Sequence, residues 1–426
     1  MKLLYNKLVH FLNNLESKIA FYPTLISLLG FLLTFIVLYL EQFGISAYLE
    51  KAVPILIIED AQTARTILST FISGLISLMV FSFSMVMILL NQASNNFSPR
   101  LLPGLISNRK HQLVLGTFLA SLIYCIFMLI SIETSGTKDR TPGFPILVAI
   151  ILTIICLGVF VYFIHSISQS IQVNTILDTI HKTSKKRLNE LISESEKHAE
   201  FPDTAQWHEY HANKTGYYQD IMSESLLTIA EKQETRLEII VPKGSFVLKG
   251  IPLLRSENPL EEESLKTIRN SILYSKNELL EDNYVLAFKQ ITEIAVKAMS
   301  PGINDPGTAL NAIDYLTELF AIRMKKEDQN FLFKDDQPQI KLTTVSFSNL
   351  LYNVMASLRL YCKHDVSIMQ KLFLMLKYLL FQTQAEEHYK DCIRSEAKTL
   401  LEDAESSIEN PKDLEVIKNL ANTFLT

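Results

Sequence analysis

Three groups of residues have types and spacing that could do chemistry. The first is SPGINDPGT, Ser300 to Thr308. Asp305 before Pro306 supplies a side chain able to cap free N–H groups and then a residue that has none, which is how a helix begins. Gly302 allows a positive φ in the turn. The same arrangement can hold an anion or small ligand at a helix start, with Lys297, Ser300, Asn304, Asp305 and Thr308 around it. A capped helix explains the loop without a ligand, so both readings stay open. The second group, His208, Glu209 and His211, has metal-ligand types, but on a strand His208 and His211 point to opposite faces. No metal and no other cofactor is expected. The third, Cys362, His364 and Asp365, reads as a helix boundary. Nothing in the chain resembles a nucleophile–base pair, a phosphate-cradling glycine loop or a paired-carboxylate site, so an enzyme is not expected.

Polar groups of another kind lie inside an apolar run. At about 100° per residue, Thr66, Thr70, Ser73, Ser77, Ser84, Asn91 and Asn95 fall within about 40° of one line, with Ser69 beside them. The other faces of that segment carry Leu, Ile, Met, Val and Phe. Gln92, Ser94, Asn96 and Arg100 follow at its end and form a candidate inner mouth. Two readings are open. The stripe is a helix interface, in which Ser73, Gly74 and Ser77 let backbones approach, or it is the wall of a pore made by several copies of the helix.

The elements that must position these residues follow from hydropathy. Phe21 to Leu40, Thr66 to Leu90, Gln112 to Ile132 and Phe144 to Ile164 contain no Asp, Glu, Lys or Arg. Crossing the hydrocarbon takes about 20 apolar residues, so each run can span. Spans are placed at about residues 21–40, 64–90, 112–132 and 144–167. The leader, Met1 to Ala20, is too long and too weakly basic to make the first of them a signal peptide. Ion-coupled pumps use charged groups inside their spans, and here none is present. Lys2, Lys7 and Lys18 before the first span, Arg100, Arg109 and Lys110 after the second, and Lys182, Lys185, Lys186 and Arg187 after the fourth are the basic flanks. The first connection instead holds Glu41, Glu50, Glu59 and Asp60. By the positive-inside rule both termini are expected in the cytoplasm of a cell-membrane protein.

The 426 residues divide unevenly in charge. Residues 1–169 carry ten Lys and Arg against seven Asp and Glu, and the remainder carries thirty against thirty-eight. An acidic soluble half repels phosphate backbones, which excludes nucleic acid as an expected partner. The four cysteines have no CxxC spacing and are expected as free thiols.

Three blocks of this chain resemble one known family. They are FSFSMVMILLNQASNNFSPRLLPGLISNRKHQLVLGTFLASLIYCIFML from Phe81 to Leu129, then GYYQDI at Gly216 with VPKGSFVLKGIPL at Val241, then AVKAMSPGINDPGTALNAIDYL from Ala295 to Leu316. In this order they are similar to the bacterial membrane proteins grouped as domain of unknown function 2254. The resemblance implies a bacterial cell membrane and an architecture, and it implies no activity.

The fold class expected is a mainly α membrane protein with four transmembrane helices, then a cytoplasmic small β-rich module and an all-helical domain. Residues 1–169 form the transmembrane domain, and 170–202 a helical connector continuing the fourth span. Residues 203–256 form the β-rich module, with Gln206 to Ala212 and Tyr217 to Ile221 as a hairpin and Leu237 to Val241 with Phe246 to Leu254 as another. Residues 257–426 are read as helices, with Asp336 to Thr344 a loose stretch. In function the chain is expected to be a homo-oligomeric channel or pore-like protein, lined by the second span and regulated by the cytoplasmic domain. The alternative is a non-conducting scaffold or sensor that holds soluble partners. The lipid bilayer and further copies of the chain are the expected partners, with an ion or small anion as the species carried.

Overall fold

The computed structural model describes residues 20–52, 57–58, 60–96, 109–134, 143–170, 172–194, 200–275, 283–382 and 386–425. The basic positions of the leader, Lys2, Lys7 and Lys18, lie outside the described residues. The chain forms two compact units, Met1–Gln172 and Val173–Thr426.

In the first unit the apolar runs become helices α1 (Phe21–Glu41), α3 (Ala61–Asn96), α4 (Arg109–Thr134) and α5 (Gly143–Ser170), with a short α2 (Ile45–Ala52) between the first two. Among the described residues four stretches are long and apolar enough to cross a membrane: Phe21–Glu41, Ala61–Gln92, Arg109–Ile132 and Gly143–Gln169. The helix α4 is the hub, packed on α1, α3 and α5. Of its span 44% is buried within the chain, against 11% for the second span, so α3 is the helix left most open. Phe118, Tyr124, Cys125 and Met128 of α4 meet Leu68 and Leu75 of α3 and Ala149 and Cys156 of α5 in one core.

Small residues decide how close α1 and α4 come. A Cβ on Gly30 would stand 2.6 Å from the Ala120 backbone, and one on Gly116 would stand 2.8 Å from Ile26 and 3.2 Å from Pro23. Lipid tails give helices no hydrophobic reason to associate, so this backbone approach supplies the attraction by dispersion. Polar groups at the helix ends are matched locally. The Tyr124 hydroxyl donates to the Pro145 carbonyl at 2.9 Å, and Ser46 of α2 accepts from the Phe144 N–H at 2.8 Å at the start of α5.

The fourth span does not run on as one helix. The helix α5 ends at Ser170, Gln172 is non-helical, and α6 (Val173–Glu194) begins anew. The helix α6 buries Ile176, Leu177, Ile180 and Leu188 on a face of its own.

The second unit contains two sheets and a helical core. Its elements are β1 (His208–His211), β2 (Gly216–Ile221), α7 (Ser223–Lys232), β3 (Leu237–Ile239), β4 (Phe246–Val247), β5 (Pro252–Ser256), α8 (Glu262–Ser271), β6 (Ile272–Ser275), α9 (Tyr284–Ala298), α10 (Pro306–Arg323), β7 (Gln329–Lys334), β8 (Gln337–Thr343), α11 (Phe347–Cys362), α12 (Val366–Leu380), α13 (Glu387–Ser407) and α14 (Pro411–Leu425). The strand orders are β1-β5-β3-β8-β7 and β4-β2-β6.

Local turn signals mislead about strand pairing here. The strands β1 and β2 flank the turn at Asn213 to Gly216, yet they join different sheets: β1 pairs with β5, and β2 with β4 and β6. Likewise β3 pairs with β5, while β4 between them crosses to β2. The stretch expected to be loose is strand β8, hairpinned with β7 and parallel to β3. The sheets therefore draw strands from residues beyond 256. Long-range burial of Ile340 against Leu237 and Ile239 fixes that pairing, and no local pattern encodes it.

In the helical core, α9 is buried on nearly every side (Leu286, Ala287, Phe288, Ile291, Ile294, Ala295), packed on α6, α10 and α11. Arg323 at the end of α10 ties this core to the β7–β8 hairpin. It is fully buried. Its Nη1 donates to the Lys326 carbonyl at 2.6 Å, and its Nη2 donates to the Val345 carbonyl at 3.0 Å and to the Asp328 carboxylate.

Replacing Gly30 by Leu should force α1 away from α4 and cost about 1–3 kcal/mol, whereas Gly74→Ala, with nothing within 4 Å of its Cβ position, should be silent. Thermal unfolding in detergent compares the two variants, and equal melting temperatures would refute the close-packing account.

Candidate functional site

The polar stripe on α3 faces away from the other spans. Thr66, Ser69, Thr70, Ser73, Ser77, Ser84, Asn91 and Gln92 are all exposed, while Ala64, Leu68, Leu75 and Ser82 on the opposite side are buried. The side chains of Ser94, Asn95 and Asn96, and all of Arg100, lie outside the described residues. Helix packing within the chain is therefore not the purpose of the stripe. Its hydroxyls are not idle either. Thr66 donates to the Gln62 carbonyl at 2.9 Å, Thr70 to Thr66 at 2.8 Å and Ser77 to Ser73 at 2.9 Å. Each such back-bond satisfies the hydroxyl donor one turn below and lowers the cost of facing lipid. Asn91 and Gln92 add two exposed side-chain amides where the span ends.

The loop before α10 is built as a capped helix start. Asp305 Oδ1 accepts from the Thr308 N–H at 3.1 Å and Oδ2 from the Thr308 hydroxyl at 2.6 Å. Those bonds, the hydroxyl first, hold the Asp305 carboxyl below its usual range. Ser300 donates to the Lys297 carbonyl at 2.7 Å, and the Asn304 N–H donates to the Ser300 carbonyl at 3.0 Å. The positive φ falls on Asn304 (48°), not on Gly302. Asp305, Ser300 and Thr308 are thus engaged within the loop, and Asn304 is exposed.

In β1, His211 and Glu209 approach to 3.9 Å and Glu209 also meets Arg255 at 3.4 Å. Among the described residues no three His, Cys, Asp or Glu side chains converge as metal ligands. Asp365 caps α12 by accepting from the Ile368 N–H at 3.0 Å. Cys362 is buried, and desolvation pushes its thiol up to about 12, far from a reactive thiolate. Cys125, Cys156 and Cys392 are also free.

Two clusters carry more electrostatics than any of these. The first is the Arg323 knot, where Tyr389 donates to the Lys326 carbonyl at 3.3 Å and Asp328 accepts from the Phe347 N–H at 2.9 Å. Burial first, and Arg323 second, bring the Lys326 ammonium down to about 8. The second joins α6 to α10. His181 is almost fully buried, its Nε2 is 3.0 Å from Glu318 Oε2, and its ring lies 4.8 Å from that of Tyr315. Lys185 pairs with the other carboxylate oxygen of Glu318, and Asn311 donates to Asn174 at 3.3 Å. Burial lowers the His181 pKa despite the pull of Glu318 and Asp178, with Lys185 pushing the same way as burial. Glu318 is held low, chiefly by its bond from Lys185. The counter-ion of Glu318 is therefore Lys185, and His181 sits neutral beside it. Pattern reading missed both clusters, because Arg323 and His181 look like ordinary polar positions on amphipathic helices.

The neutral state of His181 gives α6 a pH dependence. A lowered pKa means docking is stabilised fully above the free histidine value of about 6.5 and progressively less below it. Moving full-length protein from about pH 7.5 to about 5.5 should lower the protection of the α6 amides, taken as exchange relative to the intrinsic rate at each pH, and His181→Gln should remove that step. An identical response in His181→Gln would refute the assignment.

A family model described as "Predicted membrane protein (DUF2254)" matches residues 16–378. The chain is similar to two uncharacterised mycobacterial proteins, Mb1321c of Mycobacterium bovis and Rv1290c of Mycobacterium tuberculosis. Each is 22% identical over 328 residues, covering 74% of this chain and 63% of the relative. The chain thus spans less than two-thirds of the length of these relatives. No solved structure matches it.

Proposed function

As a member of the DUF2254 family of predicted membrane proteins, this chain is a membrane protein of unassigned activity, and we propose that it assembles as a homo-oligomeric, pore-like protein with the second span at the contact between copies. The observation that carries the reading is the outward stripe on α3, from Thr66 to Gln92, on the span least covered by its own chain. A helix exposed only to lipid has no reason to sort its polar residues onto one face. Around a symmetry axis the stripe would meet its counterparts, and Asn91 and Gln92 would ring one mouth. An ion or small anion is the species such a path would carry. The cytoplasmic orientation of both termini, and regulation by the second unit, belong to the same proposal. No catalytic step is part of it.

A second reading, a non-conducting scaffold or sensor, is favoured by one specific observation. Thr66, Thr70 and Ser77 already donate to their own helix, so the stripe can form a dry interface with no water path.

Cysteine placed at Ser77 should cross-link between copies in native membranes under both readings. Conductance separates them: in planar bilayers Ser77→Leu or Ser84→Leu should alter a current if α3 lines a path. Cross-linking with no current supports the scaffold, and a protein that stays monomeric in membranes without cross-links refutes both.

A further inference from the structure

The block VPKGSFVLKGIPL is not used by either reading, and the fold gives it a distinct place. With the turn from Asn213 to Gly216 it forms one end of the sheet module. The two are held together by the Lys249 N–H donating to Thr215 Oγ1 at 3.0 Å and the Gly250 N–H donating to the Ala212 carbonyl at 2.8 Å. Gly244 (φ +88°) and Gly250 (φ +95°) bend the segment outward at its two ends. At the tip, Phe246 and Leu248 are 53% and 54% exposed, although both are large and apolar. The Phe246 ring packs edge-on against Tyr217 at 5.0 Å, so it is fixed in its exposed position.

Among the described residues the exposed, unpaired charge at this end is basic. Lys214 and Lys249 are exposed and in no ion pair among the described residues. Arg269 stands nearby, donating to the His211 carbonyl at 2.9 Å. Among the described residues Asp220, on β2 beside the tip, pairs with Lys243 at 2.9 Å. Two unpaired ammonium groups thus flank two protruding apolar side chains.

We propose that this tip is a peripheral membrane-contact site, in which Phe246 and Leu248 enter the headgroup layer of an anionic lipid surface and Lys214 and Lys249 meet its phosphates. Cationic charge beside protruding aromatic and aliphatic groups is the combination an interfacial segment uses. The tip is made of two turns from which Phe246 and Leu248 stand exposed, a small apolar area suited to a soft surface. An acidic protein would use the lysines and leave Phe246 without a role. The spans, joined covalently to the second unit, also keep a bilayer permanently within its reach, which makes a weak contact effective. Complementary charge is available on the cytoplasmic leaflet, where anionic lipids attract basic groups. The inference does not depend on a pore.

The chain has a single tryptophan, Trp207. In a Trp207→Phe background, Phe246→Trp reports the depth of the tip in full-length protein reconstituted into vesicles. Brominated lipids should quench the introduced indole in vesicles containing about a third phosphatidylglycerol, and much less in pure phosphatidylcholine. Each lysine reversed to Glu should reduce the docked population about fivefold, and raised salt should act in the same direction. If Lys214→Glu with Lys249→Glu prevents folding, the salt titration on the Phe246→Trp protein alone carries the test. Quenching that is absent, or equal in anionic and neutral vesicles and insensitive to salt, overturns the proposal. So does protection of the introduced indole by a co-purifying acidic protein in place of lipid.

Discussion

The guanidinium of Arg323 is the interaction on which the second unit depends. A cation with no exposed surface needs its charge opposed and most of its donors bonded, as Nη1 and Nη2 are here while the buried Nε has no partner, and breaking such a pair costs about 3–5 kcal/mol. Here the opposing carboxylate, Asp328, also caps the approach to α11 through the Phe347 N–H. Tyr284, at the start of α9, lies 5.9 Å beneath the guanidinium, and Tyr389 of α13 shares the Lys326 carbonyl. Four helices and the β7–β8 hairpin thereby meet at one side chain. Because β8 lies parallel to β3, the same knot anchors the five-stranded sheet to the helices. The module and the helical domain are one folded body for that reason.

The first unit solves the same problem of polar groups in an apolar setting by opposite means. It has no charged group in its apolar runs, and several of its threonine and serine hydroxyls turn back onto their own helices. Thr34 donates to the Gly30 carbonyl at 3.2 Å and Thr153 to Ala149 at 2.9 Å, in the manner of Thr70 and Ser77. A back-bonded hydroxyl no longer demands shielding from lipid. What remains to be explained on α3 is sorting: the same residues scattered around the helix would satisfy their donors equally well.

The spans were legible because hydrocarbon thickness imposes a length and excludes charge, two constraints that every residue of a run reports at once. Most helices of the second unit were legible for a similar reason, since periodicity and caps such as Asp305 and Asp365 are local. Strand pairing was not. The turn at Asn213 to Gly216 has hairpin composition, yet the strands on either side separate, because Tyr218 and Val247 are buried together on one sheet and Tyr210 and Leu254 meet on the other. The buried clusters were equally hidden. Nothing at Arg323 distinguishes it from the many arginines at helix ends until the hairpin that covers it is in place.

The candidate loop shows how far a motif carries by itself. Ser300 to Thr308 has the glycine, the amide, the carboxylate and the nearby lysine of an anion site. Yet the Thr308 N–H that would face a ligand donates to Asp305 instead. A carboxylate at that position also repels the anion the helix start would otherwise attract. The same residue therefore both starts the helix and blocks the site, and this favours a structural role. By contrast α3 and the tip at Phe246 present polar and apolar side chains that stay exposed among the described residues. Such exposure, on a helix among lipids in one case and between two lysines in the other, is where contacts beyond the single chain have to be sought.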